Sequence, residues 1–172
     1  TDAIKVGMIY KPARVTPVGR TAVLNSVAFV NGGDSAPRSR PSLAQAFLDS
    51  QSGGTFVVDT NHLQSKGSAC AVPDALDGQG NCNAVRVNAA NEPMTWFAGN
   101  PTGTGDADVL LLGDYNPYAM EDPITLTTNA GYTNPIPSSA RGYPYPHVFD
   151  RPAGNPDHPS GSLGDADLGC HA

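Results

Sequence analysis

Positive charge is scarce in this sequence: 10 lysines and arginines stand against 16 aspartates and glutamates, for a formal net charge of −6. Proteins that hold nucleic acid by broad electrostatics carry basic surfaces, and this balance argues against that mode of binding. It leaves room for an enzyme acting on a phosphodiester, because a metal ion supplies positive charge locally. Long apolar runs are missing too. Nothing approaches the roughly 20 apolar residues that span a bilayer, so no membrane partner is expected. No leader pattern is read at Thr1. Cysteine is rare, with three in the chain. Cys70 and Cys82 bracket a Gly- and Asp-rich stretch, 71–81, that suits a loop-closing disulfide worth roughly 2–3 kcal/mol. A zinc site is the competing reading, but no cysteine–histidine spacing supports one. Cys170 is left over, with no role assigned. A disulfide favours an oxidising compartment, and the chain is expected to be extracellular.

Glycine and proline, by contrast, are abundant: 19 and 16 residues, about a fifth of the 172 against a usual share of about 12%. With 39% hydrophobic residues the chain still has material for a core, so a folded, loop-rich domain is expected. Residues 4–10 (I-K-V-G-M-I-Y) read as a strand stopped by Pro12, and 15–30 as one or two short strands. Residues 31–40 read as a polar loop. Segments 43–48 and 55–60 read as strands joined by a hairpin-like turn at 50–54. Residues 83–97 have helical spacing, with Pro93 expected to kink or end the helix. The apolar run 108–112 reads as a buried strand. Val148 and Phe149 are candidates for another, and the last 22 residues look like loop. No internal repeat is found. A helix between strands points to an α/β architecture.

Three polar clusters follow strand-like runs: Asn61-His62, Asp114-Tyr115-Asn116 and Asp157-His158. Strand ends are where α/β proteins gather reactive groups. Phosphodiester hydrolysis needs charge neutralisation at the phosphoryl group, a base for water and an acid for the leaving oxygen. Carboxylates hold hard ions such as Mg²⁺, asparagine donates to phosphoryl oxygens, and histidine exchanges protons near neutrality. The plain alternative is that Asp114 and Asn116 close a turn through their side chains, and that Arg40 is a solvated arginine. Trp96 and Tyr118 read as packing residues, His147 and His171 as surface residues.

Longer strings sharpen this. T-N-H-L-Q-S-K-G-S-A-C (60–70), D-G-Q-G-N-C-N (77–83) and L-L-G-D-Y-N-P-Y-A-M-E-D-P-I (111–124) occur in order, with D-A-I-K-V-G-M-I-Y-K-P (2–12) and R-P-S-L-A-Q-A-F (40–47) ahead of them. The set resembles the large secreted bacterial nucleases of the endonuclease/exonuclease/phosphatase superfamily, relatives of pancreatic-type deoxyribonuclease, over nearly the whole chain. The resemblance implies an α/β fold of the DNase-I-like kind, two packed mixed β-sheets flanked by helices, with 1–172 forming a single partial domain. It implies an enzyme, a metal-dependent phosphodiesterase using Mg²⁺ (or Mn²⁺ or Ca²⁺) on extracellular DNA or RNA. His62 falls on the family's general acid at the scissile phosphate. Asp114 falls on the G-D-x-N aspartate close to the metal and the attacking water, and Asn116 on the asparagine that bonds phosphoryl oxygens. Arg40 resembles a backbone-phosphate contact, and Asn61 is grouped with it as phosphate-binding. Asp157 falls where the family has an aspartate orienting a catalytic histidine, although Pro156 and Pro159 flank it.

Two pieces depart from the pattern. The family's metal-binding asparagine and glutamate lie upstream of the segment beginning at Asp2, and its closing S-D-H motif has no counterpart in this sequence. Losing members of a catalytic set that acts as a unit costs orders of magnitude in rate. The chain is therefore expected to be a portion of a longer precursor whose other segments are partners, and inactive alone. The alternative is a non-catalytic structural or binding remnant of a nuclease-like domain.

Overall fold

The computed structural model describes residues 4–73 and 75–135. They fall in one unit, Thr1–Asn134; of a second unit, Pro135–Ala172, only Pro135 is among them. The expectations for Val148, Phe149, Asp157, His147, His158, His171 and Cys170 lie outside the described residues.

The described chain is a four-stranded mixed sheet with helices, an α/β fold. β1 (Val15–Leu24), β2 (Arg40–Asp49), β3 (Thr55–His62) and β4 (Val109–Asp114) lie side by side in sequence order. β1, β2 and β3 pair antiparallel, and β3 pairs with β4 in parallel. A parallel neighbour requires a crossover, and α2 (Asn83–Ala98) provides it. Turn residues at 50–54 close the β2–β3 hairpin as expected: the Asp49 carboxylate accepts from the amides of Gln51 and Ser52 and from the Ser52 hydroxyl. In β1 the register shifts between Val18 and Ala22. There Gly19, at φ 67°, brings its backbone against Thr102, where any Cβ would meet the carbonyl oxygen at 2.5 Å.

One face of the sheet presents small side chains. Ala44, Ala46 and Val57 form a buried patch on which Trp96 and Phe97 of α2 pack. Ala89 and Ala90 of α2 join Leu24, Phe29 and Leu63 in a second buried cluster. The opposite face is only partly covered among the described residues: Phe47, packed against Tyr10 and Phe56, is 4% exposed. Val23, Leu110 and Leu112 are each about half exposed, and strand alternation places them on that one side.

Several expectations need correcting. Residues 4–10 form no strand, and Ile4, Ile9 and Tyr10 are exposed. The stretch 15–30 becomes one strand and then the helix α1 (Val27–Asn31). The Ser26 hydroxyl accepts from the Phe29 amide, and Gly32 closes the helix at φ 59°. Pro93 does not end α2. It sits buried inside the helix, and interior packing of that face sustains the element without the missing amide bond. β4 is present, but as a half-exposed edge rather than a buried strand. A third helix, α3 (Asp122–Asn129), was not anticipated. The second sheet of a sandwich is not found among the described residues, where no helix is long and apolar enough to cross a membrane.

Candidate functional site

Parallel pairing puts the C-terminal ends of β3 and β4 at the same edge of the sheet, and the antiparallel β2 begins there. The register makes His62 the partner of Asp114 on one side and of Arg40 on the other. Three residues far apart in sequence thus form one row. His62 Nε2 lies 3.9 Å from Asp114 Oδ2, with 30% and 63% of the two side chains exposed. That separation is an ion-pair contact when the imidazole is protonated, and too long for a hydrogen bond. Arg40 donates through Nη1 to the Arg38 carbonyl at 3.2 Å.

The G-D-x-N string has a physical reason at each position. Gly113 has φ 122°, and a Cβ there would sit 2.0 Å from the Asn61 carbonyl oxygen. Only glycine lets β4 approach β3 so closely at the strand end. The Asp114 carboxylate Oδ1 accepts from the Asn116 amide at 3.0 Å, an Asx turn. Asn116 adopts φ 65°, which asparagine tolerates better than most residues, and its Nδ2 donates to the Leu63 carbonyl at 2.9 Å. The Leu63 amide donates to the Asp114 carbonyl at 3.0 Å. Asp114 and Asn116 therefore do close a turn. They do so while leaving one Asp114 oxygen facing His62.

Asn61 is not part of the exposed row. Alternation along β3 turns it to the opposite face from His62, where it is 2% exposed. Its Nδ2 donates to Asp59 Oδ2 at 2.8 Å and to the Tyr115 hydroxyl at 3.0 Å, and its Oδ1 is buried without a hydrogen-bond partner.

The residue that sequence reasoning missed is Asp59, fully buried beneath that row. Ser42 donates its hydroxyl to Asp59 Oδ1. Burial pushes the Asp59 carboxyl up to about 6, with the Ser42 and Asn61 hydrogen bonds pulling the other way. Burial, followed by the nearby Asp59 charge and Tyr132, raises the Tyr115 phenol above its ordinary range, and burial and Asp59 raise Tyr132 as well. The signal was there: period-two alternation from Val57 puts a carboxylate on a buried strand face.

The disulfide is present. Cys70 and Cys82 are bonded, with Cα atoms 5.5 Å apart. The enclosed loop wraps Arg86, a fully buried side chain of α2 whose guanidinium donates to the carbonyls of Gln64, Gln79 and Asn81. Gln79 also ties the loop to α3, donating to Asp122 Oδ2 and accepting from the Asp122 amide, both at 2.8 Å. Trp96 packs against both core clusters, and Tyr118 lies under the Lys66 ammonium at 4.0 Å.

A hard divalent cation needs several oxygen ligands. Among the described residues no three His, Cys, Asp or Glu side chains converge to hold one, and in the row Asp114 supplies a single carboxylate. These residues by themselves do not fit a resident metal.

No family model and no curated protein matches the chain. Among solved structures it is similar to the catalytic domain of human Nocturnin with bound sulfate (14% identity, TM-score 0.48, 69% of this chain and 36% of that one). It is also similar to an endonuclease/exonuclease/phosphatase family protein from Bacteroides thetaiotaomicron (16%, 0.48, 71% and 39%). A third is a functionally unknown conserved protein from Enterococcus faecalis V583 (16%, 0.47, 70% and 41%). The chain thus spans less than half the length of each. A likeness of this degree concerns part of the fold, and neither substrate nor residue roles pass through it.

Proposed function

We propose that this chain carries part of the active site of a phosphodiesterase, with nucleic acid, DNA or RNA, as substrate. The observation that carries the reading is the row at the sheet edge. An imidazole and a carboxylate lie 3.9 Å apart at the ends of adjacent parallel strands, both open to solvent. Arg40 is in register beside them. In this reading Arg40 binds a backbone phosphate. Asn116 turns its second amide hydrogen toward a phosphoryl oxygen while the first stays on Leu63. His62, in its protonated form, gives its proton to the leaving oxygen as a water attacks phosphorus and the phosphorus–oxygen bond breaks, the water's proton passing to solvent, and Asp114 orients the imidazole. Mg²⁺, Mn²⁺ or Ca²⁺, if bound, would supply positive charge at the phosphoryl group, and in the row only the Asp114 carboxylate could help to hold it. The Cys70–Cys82 bridge supports an oxidising, extracellular setting.

A second reading, a binding module without catalysis, is favoured by the single carboxylate in the row. Plasmid nicking with each cation separates the two. From this partial site the proposal expects at most trace nicking, and that trace should stop on chelation and fall roughly 100-fold in His62→Ala or Asp114→Ala. Oligonucleotide binding without cleavage under every cation would favour the second reading. Neither binding nor cleavage would defeat both.

A further inference from the structure

Beneath the exposed row runs a chain of buried polar contacts that no step of the proposed chemistry uses. Ser42 of β2 donates to Asp59 of β3, Asn61 donates to the other Asp59 oxygen, and the same Asn61 nitrogen donates to the Tyr115 hydroxyl. Tyr115 is the middle residue of the turn that presents Asp114 and is pinned by Asn116. The tyrosine ring packs on a cluster that includes Leu63, Ala89 and Ala90. A fully buried carboxyl is thus linked by two hydrogen bonds to the segment that aims the exposed one.

We propose that Asp59 is a positioning residue for the Asp114 turn, acting through Asn61 and the Tyr115 hydroxyl, and that its hold changes with its charge.

The direction follows from hydrogen-bond inventory. An ionised carboxylate only accepts, so it takes both the Ser42 and the Asn61 donors, and bonds to a charged acceptor are roughly twice as strong as neutral ones. On protonation the Asp59 hydroxyl turns to Ser42, whose oxygen can accept, and the bond from Asn61 becomes one to a neutral acceptor, which is the weaker kind. The Asn61 amide is therefore held firmly when Asp59 is charged and loosely when it is neutral, and the Tyr115 hydroxyl follows. The groups facing Asp59 are Ser42 from β2, Asn61 from its own strand, Tyr115 after β4 and Tyr132 after α3. From α2, Arg86 is engaged with the carbonyls of Gln64, Gln79 and Asn81. Burial sets the changeover at about 6.

The inference concerns how the turn is held, and it stands or falls separately from phosphodiester cleavage. Its test is a nuclear magnetic resonance titration of the 172-residue chain carrying His62→Gln, which removes the imidazole as a competing source of shifts. The Asp59 carboxyl carbon and the backbone amides of Asp114, Tyr115 and Asn116 are expected to move with one shared midpoint near 6. Tyr115→Phe keeps the ring and removes only the hydroxyl. It is expected to leave the Asp59 titration in place while the turn amides stop following it, an uncoupling that mere loss of packing would not produce. Asp59→Asn should abolish both movements; should it fail to fold, the Tyr115→Phe comparison decides alone. Turn amides that ignore Asp59, or that still follow it in Tyr115→Phe, would overturn the proposal.

Discussion

A Cβ at Gly113 would lie 2.0 Å from the Asn61 carbonyl oxygen, closer than any packed pair of atoms tolerates, and its φ of 122° disfavours every other residue. Gly113→Ala should therefore push β4 off β3 at the edge where His62 and Asp114 meet. The expected cost is about 3 kcal/mol in urea unfolding, and a midpoint unchanged from wild type would show that the approach is not rigid. Two buried carboxyls set the response to pH in opposite ways. Asp59 is raised to about 6 by burial. The folded state thus binds the proton more tightly than the unfolded chain, and the stability from this group is complete below its ordinary value and lost as pH rises through about 6. Its full span is about 3 kcal/mol as an order of magnitude. Burial works against ionisation of Asp34 too. Its bonds from Arg38, the Ala71 amide, Ser35 and the Ala36 amide outweigh that and hold it at about 2, so its contribution is lost as pH falls through about 2. Stability should peak at about pH 4, between the two. Denaturation midpoints across pH 2–8 check this, and in Asp59→Asn the decline between pH 4 and 6.5 should flatten.

At the scale of elements, the loop closed by Cys70 and Cys82 is also fastened to Arg86 of α2, through Gln79 to α3, through the Ala71 amide to Asp34 and through Asn81 to Lys66. The paired change Cys70→Ser with Cys82→Ser should cost roughly 2–3 kcal/mol. Arg86→Met should cost as much or more, because it leaves buried carbonyls of Gln64, Gln79 and Asn81 without donors. Urea midpoints for the two variants give the comparison; a negligible loss in Arg86→Met would mean that the guanidinium is not what holds the loop. The bridge was legible because two cysteines flank a turn-rich loop, and β2, β3 and β4 were legible from apolar runs bounded by glycines. The short helices were not. α1 carries its signals in single residues, Ser26 before and Gly32 after, too brief for periodicity to register. α3 announces itself only by Asp122 and Pro123 at its start. The meeting of His62 with Asp114 was foreseen from motif resemblance, and strand register supplies its cause. The inward turn of Asn61 was missed because reading the dipeptide Asn61-His62 as one cluster ignored the alternation that sends its two side chains to opposite faces.

Among the described residues, one side of the sheet is packed under α2 and the other is only partly covered. Val23, Leu110 and Leu112 stand about half exposed on the face away from α2. Leu110→Gln with Leu112→Gln should shift stability by no more than about 0.5 kcal/mol, as for other surface positions, while lowering the binding of a fluorescent apolar dye. A loss of 2 kcal/mol or more would mean these leucines are covered in solution. The parallel pairing of β3 with β4 also sets an order of events. His62 and Asp114 become neighbours only after the intervening chain, with its bridged loop and α2, has folded back across the sheet, and such long-range closures form slowly because the connecting chain must first give up its freedom. The hairpin of β2 and β3 needs no such wait. The His62–Asp114 row is therefore expected to open together with the β3–β4 pairing, ahead of the β2–β3 hairpin.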